Sequence, residues 1–245
     1  MAALRSLVLT NHIYESDVIF INGDFPLPLA HAISDPDFAS ALRLNAAGQR
    51  KSDRTRAALL AATCDLLSST SAEALRVTDI CGRAGVAHGT FYLYFPDIRS
   101  LLDVLLQAFV EHVQDAMQSA GKTLPAEPVR ATTAQYVALF EQNPGLMRCL
   151  VSSFDNFPEA AARFQALNRA WATTVADAAA RRLARSGRFV PKDELLRRAY
   201  ALGGMVDQYL VTLHFNRDAN LAELSEDRDA VIDTLTFIWN RGMGT

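Results

Sequence analysis

Cysteine is scarce in this chain of 245 residues: Cys64, Cys81 and Cys149 are an odd number at wide spacing, with no second Cys or His at zinc-ligand distance. Neither a disulfide framework nor a zinc module is expected, and the three read as buried thiols of a reducing cytoplasm. Long uncharged apolar runs are also lacking. The most apolar tract, 199–215, is interrupted by Asp207, so the ~18 apolar residues that a membrane span requires are never reached. Near the start, Arg5 precedes a short apolar run that Asn11, His12, Glu15 and Asp17 break. That is well short of a secretory core, so export is not expected and the reading is cytoplasmic.

No charge sign dominates either, with 24 Lys plus Arg against 27 Asp plus Glu and a net −3. Catalytic signatures are missing: there is no G-x-S-x-G, Walker loop, G-x-G-x-x-G or H-E-x-x-H. Asp193-Glu194 and Glu226-Asp227 lie near expected helix starts, where carboxylates suit the dipole without acid–base work. An enzyme is therefore the least favoured reading, and no catalytic residue, metal or cofactor is expected. What the chain does have is 50% apolar residues against 21% charged. At this length that suffices for a sizeable core in one or two domains and excludes dominant disorder.

Residues 1–45 read as a mobile leader. They contain the β-branched run Val18 to Ile21, the turn pair Asn22-Gly23, and Pro26, Pro28 and Pro36, so little regular structure is expected beyond a hairpin at Asn22-Gly23. From Ser52 the periodicity becomes helical. Ala57, Leu60, Ala61, Cys64 and Leu67 define a helix over about 53–69. A short helix over 77–84 stops at Gly85, and another over about 88–95 stops at Pro96. Asp97 then caps a helix to about Ser119 whose apolar face includes Ile98, Leu101, Leu105, Phe109 and Val113. Further helices are expected over 127–142, 145–153, 157–185 (with a capping box from Asn156 to Glu159), 193–215, and from a Ser225 cap over about 226–241. The fold class is all-α, with a leader at 1–45 and domains at 46–97 and 98–245.

Two short helices joined by a tight glycine turn suggest a helix-turn-helix, whose second helix enters the major groove of DNA. Gly89 permits close backbone approach, Thr90, Tyr92 and Tyr94 bring hydroxyls, and His88 stands near the helix start. Phe91 and Phe95, four residues apart, anchor that helix to the core. The plain alternative is that the tyrosines are half-buried core aromatics with wet hydroxyls.

The order Ile80-Cys81-Gly82-Arg83-Ala84-Gly85-Val86-Ala87-His88-Gly89-Thr90-Phe91-Tyr92-Leu93-Tyr94-Phe95 resembles the DNA-binding signature of the TetR family of bacterial regulators, over about residues 53–110. The resemblance implies DNA contacts from His88, Gly89, Thr90, Tyr92, Leu93 and Tyr94, with Arg83 reaching a phosphate. Three positions depart from the family pattern. Ala87 replaces the usual Ser and removes a cap hydroxyl, a change that typically costs ~0.5–2 kcal/mol. Arg76 stands where a cap hydroxyl is usual, with Thr78 the nearest hydroxyl. Asp97-Ile98-Arg99 replaces the usual Ser-Lys-Glu, leaving Arg99 as substitute for the phosphate-binding lysine.

Charge tests this reading. Residues 51–118 hold six cations (Lys51, Arg54, Arg56, Arg76, Arg83 and Arg99) against eight anions (Asp53, Asp65, Glu73, Asp79, Asp97, Asp103, Glu111 and Asp115), net −2. That disfavours strong non-specific DNA binding. Over 43–56, however, Arg43, Arg50, Lys51, Arg54 and Arg56 against Asp53 give +4. This is either a basic arm touching phosphates or a solvated linker.

For the C-terminal half the resemblance implies a small-molecule pocket and a homodimer interface. Tyr136, Phe140, Met147, Phe154, Phe164, Trp171 and Tyr209 are the candidates to line the pocket, since effector sites are mostly apolar. Plain core packing is the alternative. His214 reads as a charge partner at a helix C-terminus. Gly203-Gly204 inside a helix costs roughly 1 kcal/mol each relative to Ala, which close helix–helix approach would justify. By family analogy, helices 193–215 and 226–241 pair with their symmetry mates, and a twofold protein matches a palindromic operator. The function so implied is an effector-released regulator, most simply a repressor, that binds double-stranded DNA as a homodimer. The rival is a DNA-binding or scaffolding dimer without an effector.

Overall fold

The computed structural model describes residues 37–124, 126–152 and 158–244. Among these every regular element is helical. In order they are α1 (Phe38–Ala46), α2 (Lys51–Leu67), α3 (Val77–Ala84), α4 (His88–Phe91), α5 (Ile98–Thr123), α6 (Pro128–Gln142), α7 (Pro144–Ser152), α8 (Pro158–Arg185), α9 (Lys192–Leu210), α10 (Ala219–Leu224) and α11 (Arg228–Met243). No helix among the described residues is long and apolar enough to cross a membrane.

The boundaries follow local chemistry. Asp97 accepts from the Ser100 N–H at 2.7 Å and starts α5. Gly85, at φ +69°, takes the left-handed position that ends α3. Pro128 opens α6, where a missing N–H is harmless. The α5 periodicity has its expected consequence: Leu101, Leu105, Leu106, Phe109 and Val113 are almost completely buried. The first half of α5 shares a core with Leu59, Leu60, Ile80, Phe91 and Phe95. Its second half packs on α6 and α8. One helix therefore belongs to both halves of the molecule.

Four sequence expectations need correction. The end of the leader is a helix: Asp37 accepts from the Ala39 N–H at 3.0 Å and from Ser40 Oγ at 2.6 Å, and starts α1. Phe38 is wholly buried against Phe109 and His112, with ring centroids 5.3 and 5.0 Å apart. Its backbone N–H donates to Asn143 Oδ1 at 3.0 Å. Second, the helix over 88–95 is only one turn long. After Phe91 the ladder becomes mixed: Leu93 N–H donates to Thr90 O and Tyr94 N–H to Phe91 O, three residues back, and Phe95 N–H shares the Phe91 carbonyl. Third, the helix from 193 loosens into a π turn at Val211–Phe215, closed by the Asn216 N–H on Val211 O. Fourth, the last helix is capped by Asp227, which accepts from Asp229 and Ala230 N–H, while Ser225 ends α10 and meets Tyr209 Oη at 3.0 Å. The Asn22-Gly23 turn and the cap residue Asn156 lie outside the described residues.

The two halves also meet where α7 begins. A Cβ on Gly145 would collide with the Leu67 carbonyl at the end of α2, so the backbones touch there and only glycine fits. Gly145→Ala is expected to destabilise the protein by about 1–3 kcal/mol, the usual cost of overpacking a rigid contact. Urea unfolding checks this through a lower midpoint.

Candidate functional site

The short α4 and the turn after it form an exposed tip. Tyr92 is 53% and Leu93 81% exposed, although both are large and apolar or aromatic. The Tyr92 ring is held edge-on to His88 and Phe91, with centroids 5.5 and 5.4 Å away. Phe91 and Phe95 are buried beneath, as the i, i+4 spacing requires. His88 and Gly89 are exposed, whereas Thr90 and Tyr94 are half-buried. A Cβ at Gly89 would meet no atom within 4 Å. Nothing inside the chain therefore demands a glycine there, and a partner approaching the backbone would.

Two of the helix starts around this tip carry an arginine. α2, α3 and α4 begin at Arg50, Arg76 and Ala87 with no side-chain cap, as α6 and α9 also do, whereas α1, α5, α10 and α11 are each capped by an aspartate. A cation at a helix N-terminus opposes the dipole, typically by about 0.3–1 kcal/mol. An anion bound there would satisfy both the arginine and the free N–H groups. Lys51, Arg54, Thr78 and Arg99 are likewise exposed, so a phosphate could reach each of them.

The basic stretch before α2 is not an arm. Arg43 lies on α1 and is ion-paired with Asp65, and Arg56 lies over the Phe95 ring at 5.6 Å. A tight turn with Gly48 at φ +85° joins α1 to α2. That leaves Arg50, Lys51 and Arg54 outward, with Arg54 bonded to the Gln49 carbonyl at 2.9 Å. Arg83 is held by Asp65 at 3.4 Å, so it would have to leave that pair to reach a phosphate.

A cavity of about 570 Å³ lies between α5, α6, α8, α9 and α11. Small residues facing one another create it: Ala172, Ala178 and Ala179 on α8, and Ala199, Gly203 and Gly204 on α9. The glycine pair thus lines the cavity. A Cβ at Gly203 would stand 3.6 Å from Trp171, and one at Gly204 would meet nothing within 4 Å. Gly242 is the close-approach glycine, since its Cβ would press within 2.8 Å of Leu202.

Of the expected lining residues, Tyr136, Phe164 and Trp171 face the cavity. Phe140 and Met147 are fully buried in the core instead. Tyr209 turns to Ser225, away from the lining, and the Phe154 side chain lies outside the described residues. Asp207 also lines the cavity, and its sequence signal was a lone charge in the most apolar tract.

Tyr136 Oη donates to Asp207 Oδ1 at 2.6 Å. Burial pushes the Asp207 carboxyl above the usual carboxylate range, and the Tyr136 hydrogen bond opposes this less strongly. Burial, reinforced by Asp207, pushes the phenol up as well, so Tyr136 remains a donor. His214 is half-buried in the π turn rather than at a free helix end. Burial beside Phe140 lowers its imidazole, with Glu141 opposing, and favours the neutral ring. The cysteines stay thiols, Cys149 being pushed up to about 11 by burial.

Residues 59–105 match the family of bacterial regulatory proteins, tetR family. The HTH-type transcriptional regulator EthR of Mycolicibacterium smegmatis is 25% identical over 192 residues, covering 76% of this chain and 85% of that protein. Among solved structures, FadR of Bacillus subtilis in complex with stearoyl-CoA superposes with a TM-score of 0.58 at 15% identity, over 76% of this chain and 97% of FadR. A TetR-family regulator of Mesorhizobium loti gives 0.55 at 18%, over 78% and 98%. At these identities the structural likenesses establish the fold, a helix-turn-helix unit followed by a helical C-terminal region.

The Asp207 shift has a stability consequence. Because the folded carboxyl holds its proton more tightly than the unfolded one, stability falls as pH rises from the unfolded value, about 3.9, through the raised folded value. Asp207→Asn keeps an acceptor for Tyr136 and removes the charge. It is expected to raise the melting temperature at pH 7, with the gain disappearing below about pH 4, where both carboxyls are protonated. Thermal melts of both proteins across this range check it.

Proposed function

We propose, for a chain that belongs to the TetR family of transcriptional regulators, that it is a homodimeric repressor. It binds a palindromic operator and is released by a small, largely apolar effector. Residues 46–97 read DNA, and residues 98–245 hold the effector and the partner copy. The observation that carries this reading is the course of α5. The helix starts at Ile98 beside the exposed tip and ends, through Met117 and Lys122, along the cavity wall.

The DNA-reading side rests on His88, Gly89, Thr90, Tyr92, Leu93 and Tyr94. Arg50, Lys51, Arg54, Arg76, Thr78, Arg83 and Arg99 serve phosphates, which fix register without reading sequence. An effector that wedges the cavity walls apart shifts α5 and changes the separation of the two tips. Half-sites one turn apart, ~34–36 Å, tolerate little mismatch. The effector releases DNA only by as much as it prefers the DNA-incompetent state, and DNA weakens effector binding equally. The apolar chain of the stearoyl-CoA bound to FadR supports an apolar effector here. Tyr200 and Phe237, 50% and 60% exposed on α9 and α11, support a partner copy on those helices.

Selection of bound duplexes from a random pool tests the DNA reading. A palindromic motif is expected for the wild type, and no enrichment at low salt overturns the reading. Gly89→Ala should fold as stably as the wild type or up to about 1 kcal/mol more so, since alanine is the better helix former. It should nonetheless lose most operator affinity, because the new methyl stands in the approach path. Sedimentation at micromolar concentration should give a dimer, and a monomer overturns that part.

A further inference from the structure

Asp207 is the anomaly of the cavity. It is a carboxyl reached from α9 among walls built from Met117, Leu167, Trp171 and Val175. It accepts from a neutral phenol, and no ion pair to it is formed among the described residues. The cavity does have cations, Lys122 and Arg182, but they stand elsewhere. The turn at 186–191 makes α8 and α9 antiparallel, and Gly203 faces Trp171. From that level Asp207 is four residues away in one direction and Arg182 eleven in the other. At 1.5 Å per residue they are roughly 22 Å apart along the helices. Lys122 lies on the last turn of α5, whereas Tyr136 is two turns into α6 from the same connection.

The two ends are not energetically equivalent. Lys122 and Arg182 are exposed, so water solvates them and an unpaired cation there is cheap. Asp207 is half-buried, and burial already disfavours its ionised form, so its charge is costly until a positive charge joins it. A neutral donor would be served as well by asparagine, without that penalty. A carboxyl is the fitting group where the incoming donor is itself charged, because charge-assisted hydrogen bonds are about twice as strong as neutral ones. Tyr136 bonds Oδ1, and a carboxylate has a second oxygen with which to accept from an incoming donor. Trp171, packed on Trp239 at 4.9 Å, adds an aromatic face that suits a cation.

We propose that the cavity recognises a small amphipathic amine whose ammonium donates to Asp207 and whose apolar body lies against Met117, Leu167, Trp171 and Val175. The inference rests on the cavity being the effector site. Tyr136 is the positioning residue that fixes the carboxyl, and Asp207 decides ligand class.

A matched eight-carbon series tests it: octylammonium, 1-octanol and octanoate, titrated calorimetrically into the full-length protein. The amine should bind at least tenfold more tightly than the alcohol, a difference of about 1.4 kcal/mol, with octanoate weakest. In Asp207→Asn the amine and alcohol affinities should come within threefold of each other. An alcohol or octanoate that matches the amine on the wild type, an amine advantage that survives Asp207→Asn, or no binding by any of the three overturns the proposal. The wild-type order decides even if the variant does not fold. Release of the selected duplex is read separately. An amine that binds with the expected order but leaves DNA bound keeps the amine assignment and overturns the effector role of the cavity. Release by octanol with no amine advantage does the reverse.

Discussion

The burial of one long helix face holds this molecule together. α5 puts Leu101, Leu105, Leu106, Phe109 and Val113 into a core that is continuous from the tip of α4 to the bundle of α6, α8 and α9. Fully burying an aliphatic or aromatic side chain is worth about 1.5–3 kcal/mol. A helix with that many buried on one face cannot detach from either half without large loss. It can tilt or slide as a unit, and that is the motion a cavity along its second half could drive and a DNA-reading tip beside its first turn could report.

Two further contacts make the junction of the halves rigid. α1 packs Phe38 against both the Phe109 and His112 rings and is fixed by the Asn143 side chain. Gly145 brings the backbone of α7 onto the end of α2. The first is made on α5 itself, at Phe109 and His112, and the second joins α7 to α2. The surface of the reading unit lacks this economy. Leu93 and Tyr92 stand in solvent, and α2 and α3 begin on arginines that their own dipoles disfavour. These features are unfavourable in the free protein and become favourable against a polyanion. On the proposed function, that reconciles the net −2 of residues 51–118 with a polyanionic partner met by a few exposed cations.

The helices were legible wherever a rule is local. Asp97 as a cap, Gly85 as a stop and the i, i+3, i+4 face of α5 depend on neighbours within a few residues, and each is found where expected. The order from Ile80 to Phe95 carried the family resemblance for the same reason, since one turn of helix with a glycine turn before it leaves little freedom. α1 was missed although Asp37, Phe38, Ala41 and Leu42 show a cap and an apolar face. Nine residues are too few to outweigh the prolines before them, and the helix persists because Phe38 finds Phe109.

The cavity was legible only in part, because periodicity says which side of a helix is apolar and not whether that side meets atoms or space. Tyr136 and Phe140 lie on the same helix, four residues apart, yet one lines the cavity and the other is sealed in the core. Gly203-Gly204 suggested helix contact, and in the fold both glycines also line the cavity. Asp207 was visible as a charge in an apolar tract, but its meaning required Tyr136, 71 positions away, to be brought within 2.6 Å. The sequence by itself determined the all-helical class, most helix positions, and the helix-turn-helix with its family resemblance, since short-range stereochemistry and residue order encode them. Tertiary structure alone decided where empty volume lies and which polar groups face it, because both depend on how distant helices fit together.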